Sequence, residues 1–492
     1  MPAITYKDWN GGLDRRLPIG SQDANRLWEL RNAYVTSGKK LKKRPCLKLV
    51  SSALTGSVGL ESLNGGLCVF HQVGSGFVAP PGVGVFALNS YSPGGGVTSL
   101  VGVTFAKMIL GFPYVVALHR TEIPYVYPPG QSGIPRVVLS DVPRHHYVDG
   151  AVSTRVTDVN CPHGSSVTIA TQRVFSTGGE VVRYSAIGLP RNWTAASDAG
   201  FLPVSLQHDQ REPCAAVGLF RDSLAVFFPE GIQLWSVFAD PSANELSSRI
   251  EGVGTALPHS LASFYGDLTF ASPFGLRSIA VQQSVDRVDE TDIGVQIDSL
   301  VVPSMAAHAG GAPVYGMWLQ QFGQYWVLFD NAGATTAYVY SYSKSSKLAC
   351  WSVYTFPVLL TGITTSAGKV YVRTAGALYE LDAATYTDAG TAVAVDIQMA
   401  YQDAKLPGVE KMFYGADLVC SRSAQLSYLY DPADPVKQTN TQSIVGDTRS
   451  GQLVPVEVTT SAIAPRFQHQ ADEAFELSAM TLYFHPLSSQ SS

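Results

Sequence analysis

The sequence predicts an all-β protein: a β-propeller of six or seven blades with an additional β-rich, platform-like domain. Three observations carry the prediction. Apolar residues recur with a period of two, in short runs rich in Val, Tyr, Phe and Trp that end at Gly, Pro, Asn or Asp. The 45 Gly and 29 Pro make 15% of the 492 residues, against roughly 12% on average, so turns are frequent. One layout (a small-residue strand, a tight turn, a strand ending in aromatics) returns at about 45-residue spacing, the length of one four-stranded blade. A β-sandwich of unrelated hairpins is the plainer alternative.

Residues 1–51 read as an extended N-terminal segment outside the repeat. Within it, 21–31 is the best helical stretch, with Ser21 as cap and Asp23 in the first turn. The run Lys39, Lys40, Lys42, Lys43, Arg44 puts five positive charges in six residues. Such a run contacts phosphates or an acidic partner. Alternatively, with Leu41 alternating between the lysines, it guards an edge strand. Residues 52–385 hold the repeat, in units at 58–70, 167–193, 215–238, 260–282, 314–356 and 361–382. Two Gly/Pro-rich stretches read as long loops projecting from blades. One is 79–96, with Pro80, Pro81, Gly94 and Gly95; the other is 123–135, with Tyr125, Tyr127, Pro128 and Pro129. Residues 386–492 carry longer strand patterns, at 453–460 and 476–484, and read as a separate C-terminal β domain.

Composition narrows the function. Hydrophobic residues at 46% and aromatics at 10% allow a large core and exclude disorder. A net charge of −5 does not suit a basic nucleic-acid coat. No charged n-region leads into an apolar run at the start, so no signal peptide is expected. No apolar run reaches the ~18 residues of a spanning helix. The longest, 108–118, contains Pro113 and reads as strand. Cys46, Cys68, Cys161, Cys214, Cys350 and Cys420 are scattered, with no Cys-x-x-Cys pair. They read as reduced, buried thiols of a protein made in a cytosol, where the sequon Asn192-Trp193-Thr194 has no consequence.

Enzyme signatures are weak. Residues 362–369 resemble a phosphate-binding loop, but five residues separate the glycines where four are needed. Val370 also stands where a Ser or Thr would bind magnesium, so the stretch reads as a hairpin. His145 and His146 are adjacent, so on a strand they point to opposite faces. Asp286, Asp289, Glu290 and Asp292 lack the spacing of a calcium loop and read as a solvated turn. No carboxylate pair suits a propeller glycosidase. The expectation is therefore a non-enzyme with no catalytic, metal or cofactor site.

A set of short motifs, in order, resembles one family. Gly11-Gly12-Leu13-Asp14, then Asn32, then Lys43-Arg44-Pro45 are similar to the opening of tail proteins of short-tailed bacteriophages. Gln172-Arg173-Val174-Phe175, Arg183-Tyr184-Ser185, Asn192-Trp193-Thr194, Gly275-Leu276-Arg277, Gln324-Tyr325-Trp326, Trp351-Ser352 and Phe356-Pro357 continue the likeness over most of the chain. Cys46 departs from it, since Gly often follows the basic Pro in that family.

The family is the podovirus tail hub, or nozzle. The resemblance implies a virion protein, synthesised in the bacterial host cytoplasm, that forms a homohexameric ring below the portal and its adaptor ring. It implies a DNA channel that is closed and then conducts the genome, and an anchorage for tail fibres or spikes. In that setting the viral DNA passes without specific binding. Lys39 to Arg44 would meet the adaptor, and loops 79–96 and 123–135 would gate the channel. A propeller that binds receptors or glycans is the alternative function. A host scaffold propeller would carry WD-type signatures, which the sequence lacks.

Overall fold

The structure, a computed structural model, describes residues 2–52, 158–284, 292–308, 314–448 and 451–487, apart from 163, 165, 190, 195, 197 and 208–211. From 57 to 155 it describes strand backbone and the side chains of Leu60 and Leu67. Residues 80, 81, 94, 95 and 127–129 of the two expected gate loops lie outside the described residues. Tyr125 begins a two-residue strand, Tyr125–Val126, that pairs with Ser90–Tyr91.

Among the described residues, seven antiparallel sheets follow one another along the chain and close a ring. Blade 1 is the hairpin Ser57–Leu63/Gly66–His71. Blade 2 runs from Val103–Ile109 to Val152–Arg155, blade 3 from Val167–Ala170 to Gly200–Leu202, and blade 4 from Ala216–Phe220 to Glu245–Glu251. Blade 5 has three strands between Ala262–Phe264 and Gly275–Ser278, followed by α1 (Ile279–Ser284) and α2 (Asp298–Ala307). Blade 6 runs from Tyr315–Leu319 to Leu348–Phe356, and blade 7 from Gly362–Ser366 to Leu378–Asp382. The first strand of each blade lies beside the first or second strand of the next, and that of blade 7 beside blade 1. This is a seven-bladed β-propeller.

Alternating side chains make wedges between blades. Phe175, Val182 and Tyr184 of blade 3 pack with Val217, Leu224 and Trp235 of blade 4. Phe227 of blade 4 meets Phe270 of blade 5 edge-on at 5.1 Å. Trp326, Tyr354 and Phe356 of blade 6 pack with Val370 and Val372 of blade 7. The inner strands must come close, which explains their small residues. A Cβ on Gly316 would stand 2.1 Å from the Ser260 carbonyl oxygen, so no side chain fits there. Two blades share a clip: Trp235 Nε1 donates to Gln233 Oε1 at 2.9 Å, and Trp326 Nε1 donates to Gln324 Oε1 at 3.0 Å. Residues two apart on a strand share a face, so Gln-x-Trp bonds along its own strand.

The N-terminal segment is not a free arm. Its strands are β1 (Ala3–Tyr6), β2 (Gly12–Leu13), β3 (Arg26–Arg31), β4 (Ala33–Val35), β5 (Leu41–Lys43) and β6 (Cys46–Ser51). β6 pairs with Leu378–Asp382 and supplies the fourth strand of blade 7. β2 and β3 attach to the outer strand of blade 6 on one side, and β3 pairs with Val395–Met399 on the other. Blade 6 thereby continues into the C-terminal region as one ten-stranded sheet, ending at Ala464–His469, Ser423–Leu429 and Gln442–Val445. β1, β4 and β5 join a second sheet with Lys411–Cys420, Glu476–Pro486 and Val454–Thr460. The two sheets share a core with Tyr6, Trp9, Ile397, Phe413, Phe467 and Leu482.

Two local expectations fail for visible reasons. Residues 21–31 are not a helix; β3 occupies 26–31. A β-bulge opposite Met399 and Gln398 sets two residues against one, so Leu27 and Leu30 both turn inward three residues apart, imitating a helical stripe. β5 is not an edge strand either. It lies between β4 and Glu476–Pro486, through the pairs Leu41↔Leu477 and Lys42↔Glu476.

Candidate functional site

Of the residues that carry the family likeness, those of the N-terminal segment lie at the junction of blade 6, blade 7 and the C-terminal sheets, whereas 172–175 and 183–185 lie in blade 3 and 275–277 in blade 5. Gly12 takes a φ of 55°, and a Cβ there would stand 2.4 Å from the Cys350 Cβ, so the strand approaches blade 6 only as glycine. Asp14, 1% exposed, accepts hydrogen bonds from the Arg16 guanidinium and pairs with Arg26. Asn32, at a φ of 55° that Asn tolerates, has a fully used amide. Its Nδ2 donates to Thr355 Oγ1 (2.9 Å) and the Ala394 carbonyl (2.7 Å). Its Oδ1 accepts from Arg44 Nε (2.9 Å) and the Thr355 amide (2.8 Å).

Arg44 is the centre of this network, 1% exposed. Nη1 donates to the Pro45 carbonyl (2.9 Å) and Asp388 Oδ1 (3.1 Å). Nη2 donates to the Thr355 carbonyl (2.7 Å) and to Asp388 Oδ2. With Nε on Asn32, all five guanidinium donors are satisfied. The group also lies over the Phe356 ring at 4.0 Å. Asp388 further accepts from the Leu47 amide of β6 at 2.9 Å. Buried arginines recur in other blades: Arg173 reaches the carbonyls of Ser185 and Ala239, and Arg277 pairs with Asp298 at 2.7 Å.

Above the junction is a half-open cleft of about 400 Å³. Its walls are Tyr34–Ser37 at the tip of the β4–β5 hairpin, the turn Gln321–Gln324, and Ser341–Ser343 with Leu348 of blade 6; Pro45 completes it. Val35 and Leu348 are buried, and none of the lining residues is charged. A second feature is an aromatic group on blades 5 and 6. Tyr265, 69% exposed, stands edge-on to Trp318 at 5.3 Å and 5.0 Å from the Tyr342 ring.

The five expected contact residues divide. Arg44 and Lys43 face inward and are withdrawn as partner contacts. Lys43 Nζ donates to the carbonyls of Ala471 (2.9 Å) and Glu473 (3.4 Å), and burial pulls its pKa down. Lys42 is half-buried, Lys40 pairs with Glu476 at 2.8 Å, and Lys39 sits in the turn between β4 and β5. Of the acidic group, Asp286, Asp289 and Glu290 lie outside the described residues, whereas Asp292 is 3% exposed and is no solvated turn. Its Oδ2 accepts from Gln282 Nε2 (2.7 Å) and its Oδ1 from the Ile293 amide (2.6 Å). Burial pushes its pKa up to about 6.

Residues 362–369 form the hairpin of blade 7. His145 and His146 lie on one strand, with side chains outside the described residues. Five cysteines are buried and form no disulfide among the described residues; the Cys68 side chain is outside the described residues. No group of three or more His, Cys, Asp or Glu able to hold a metal occurs among the described residues, and no described helix is long and apolar enough to cross a membrane. Sequence reasoning missed Asp388, whose only signal was the turn at Ala389-Gly390.

No protein-family model matches the sequence, and no curated protein matches it. Solved structures similar to it include the WD40 domain of Neurospora crassa Pan2, at 10% identity and a TM-score of 0.38, covering 66% of this chain and 88% of that one. An exo-β-1,3-galactanase from Phanerochaete chrysosporium is similar at 9% identity and a TM-score of 0.25, over 65% of this chain and 96% of that one. Kluyveromyces lactis Hsv2 follows at 10% and 0.24, over 49% and 93%. The propeller assignment rests on the strand pairing.

Two outcomes are expected from the buried groups. Arg44→Met and Asp388→Leu each cost about 3–5 kcal/mol in urea unfolding, because each strands a buried charge. The double variant costs clearly less than the sum; additivity within about 0.5 kcal/mol contradicts the coupling. Asp292 binds its proton more tightly folded than unfolded, where its pKa is about 3.9. The stability it contributes is therefore present in full below that value and lost as the pH rises through about 6. Asp292→Asn should gain on the wild type over that window, since an amide keeps the acceptor for Ile293 and a flipped Gln282 restores the other bond. A difference independent of pH contradicts the assignment.

Proposed function

We propose that the chain is a structural virion component, the tail hub or nozzle of a short-tailed bacteriophage. In this reading, copies form a homohexameric ring below the portal and adaptor. The ring closes and then conducts the DNA channel and anchors fibres or spikes. The observation that carries the reading is the role of the family-like residues. Gly12, Asn32, Arg44 and Trp351 are dispersed in sequence yet join the N-terminal strands to blade 6, and Arg44 reaches the hairpin after blade 7 through Asp388. A likeness seated in the residues that weld a propeller to a platform is a likeness in architecture.

Charge supports the same reading. A conduit gains nothing from phosphate contacts, which would slow the polyanion through counterion exchange. Six chains of −5 each carry −30, and a neutral-to-acidic lumen repels DNA and leaves it mobile. The 15% charged content also suits extensive subunit contacts, whose cores are depleted of charge.

The Tyr265 group favours a second reading, a receptor- or glycan-binding tail module, because exposed aromatics offer stacking faces to sugars. Mass measurement and negative-stain imaging of the purified chain, alone and with a portal–adaptor complex, separate the two. The hub reading expects a ring of six 52.7 kDa chains, about 316 kDa. A stable monomer that binds sugar through Tyr265 and never joins the complex would sink it.

A further inference from the structure

We propose that the aromatic group where blade 5 meets blade 6 binds a neutral sugar, a pyranose that lays its apolar face on Tyr265 and bonds through its hydroxyls to the polar groups around that ring. The proposal rests on the glycan reading above and names the class of glycan; it does not depend on ring formation. Tyr265 and Gly266 form the two-residue turn between Ala262–Phe264 and Asp267–Ser272, at φ 48° and 78°. Two positive φ angles in a row make a type I′ turn, whose first position suits Asn, Asp or Gly and strains a ring-bearing side chain. Burial does not offset that strain, because Tyr265 is 69% exposed. Its neighbours hold the ring in place: Phe264 edge-on at 5.2 Å, Trp318 of the first strand of blade 6 at 5.3 Å, and Tyr342 of the third strand at 5.0 Å.

Three features select the occupant. The group carries unused, uncharged polar atoms. The hydroxyls of Tyr265 and Tyr342 and the Trp318 Nε1 make no hydrogen bond among the described residues and are not shut off from solvent. Each can bond a sugar hydroxyl, which both donates and accepts, while the C–H face of a pyranose meets the electron-rich face of the ring. The charge is wrong for an anion. No cation lies over these rings among the described residues. The charged residue of the turn is Asp267, whose Oδ1 accepts from the amides of Leu268 (2.7 Å) and Ala280 (3.0 Å). A carboxylate there repels acidic sugars, and a nucleic-acid strand would find no cation for its phosphates. The rings also cross. Tyr265 stands at 67° to Trp318 and 57° to Tyr342. A polyproline helix docks in an aromatic-lined groove, whereas crossed rings form a corner, with one face beneath a sugar and polar edges beside it.

Saturation-transfer difference NMR on the full chain tests this. The probes are a neutral β-linked gluco-oligosaccharide and a neutral galacto-oligosaccharide, beside an oligogalacturonate, an oligoproline peptide and a short oligothymidylate. A neutral sugar should bind saturably, with its axial C–H protons receiving most of the transfer, and should be indifferent to salt. Tyr265→Asn builds Asn-Gly, the preferred type I′ pair. That variant should melt at or above the wild-type temperature while binding the sugar about tenfold more weakly. The double variant Trp318→Phe with Tyr342→Phe keeps the rings, removes two of the polar groups and should bind a few-fold more weakly. Neutral-sugar binding that survives Tyr265→Asn, a lower melting temperature in that variant, or wild-type affinity in the double variant would overturn the proposal. Binding of the peptide or the oligothymidylate in place of the neutral sugars would overturn it too. Binding of the oligogalacturonate alone would overturn the choice of a neutral sugar and leave the glycan reading standing, whereas binding of no sugar would end both.

Discussion

One buried guanidinium organises this molecule. Arg44 sits where β5 gives way to β6, between a strand of the C-terminal sheets and a strand of the propeller. Removing a guanidinium from water costs several kcal/mol, and only complete pairing offsets it. The pairing comes from Asn32, Pro45, Thr355 and Asp388. These belong to the N-terminal segment, the outer strand of blade 6 and the hairpin that follows blade 7. The bonds form together only when all of these are in place, so the charge acts as a check on assembly as much as a source of stability.

From that constraint the rest follows. β6 closes blade 7, which closes the ring; β2 and β3 extend blade 6 into the C-terminal sheet; β1, β4 and β5 complete the second sheet. The chain uses its first 51 residues to bind its last hundred to the propeller between them. A body so cross-linked suits a part that bears load within an assembly, and the hub proposal draws on that property.

Much of this was legible. Period-two runs and the repeated layout of a small-residue strand, a tight turn and an aromatic-ended strand gave the blades, and the spacing gave their approximate number. The role of the N-terminal polar residues was not legible, because Asn32 and Arg44 act through Thr355 and Asp388, more than three hundred residues away. The bulge in β3 could not be read, since Leu27 and Leu30 are three apart in a strand as they would be in a helix. The basic run misled in part. A charge pattern records residue type and not burial: in the fold Lys43 and Arg44 are buried, Lys39 and Lys42 are half-buried, and Lys40 is exposed. Asp292 misled likewise, as one acid among four that packs inside.

The central claim is that propeller and platform are one cooperative body held at Arg44. Differential scanning calorimetry of the intact chain, with Arg44→Met beside it, tests this most directly. The account predicts a single transition for the wild type, with calorimetric and van't Hoff enthalpies in agreement, and a split into two for the variant. Two separate transitions in the wild type, or a single undivided one in the variant at an unchanged temperature, would contradict it.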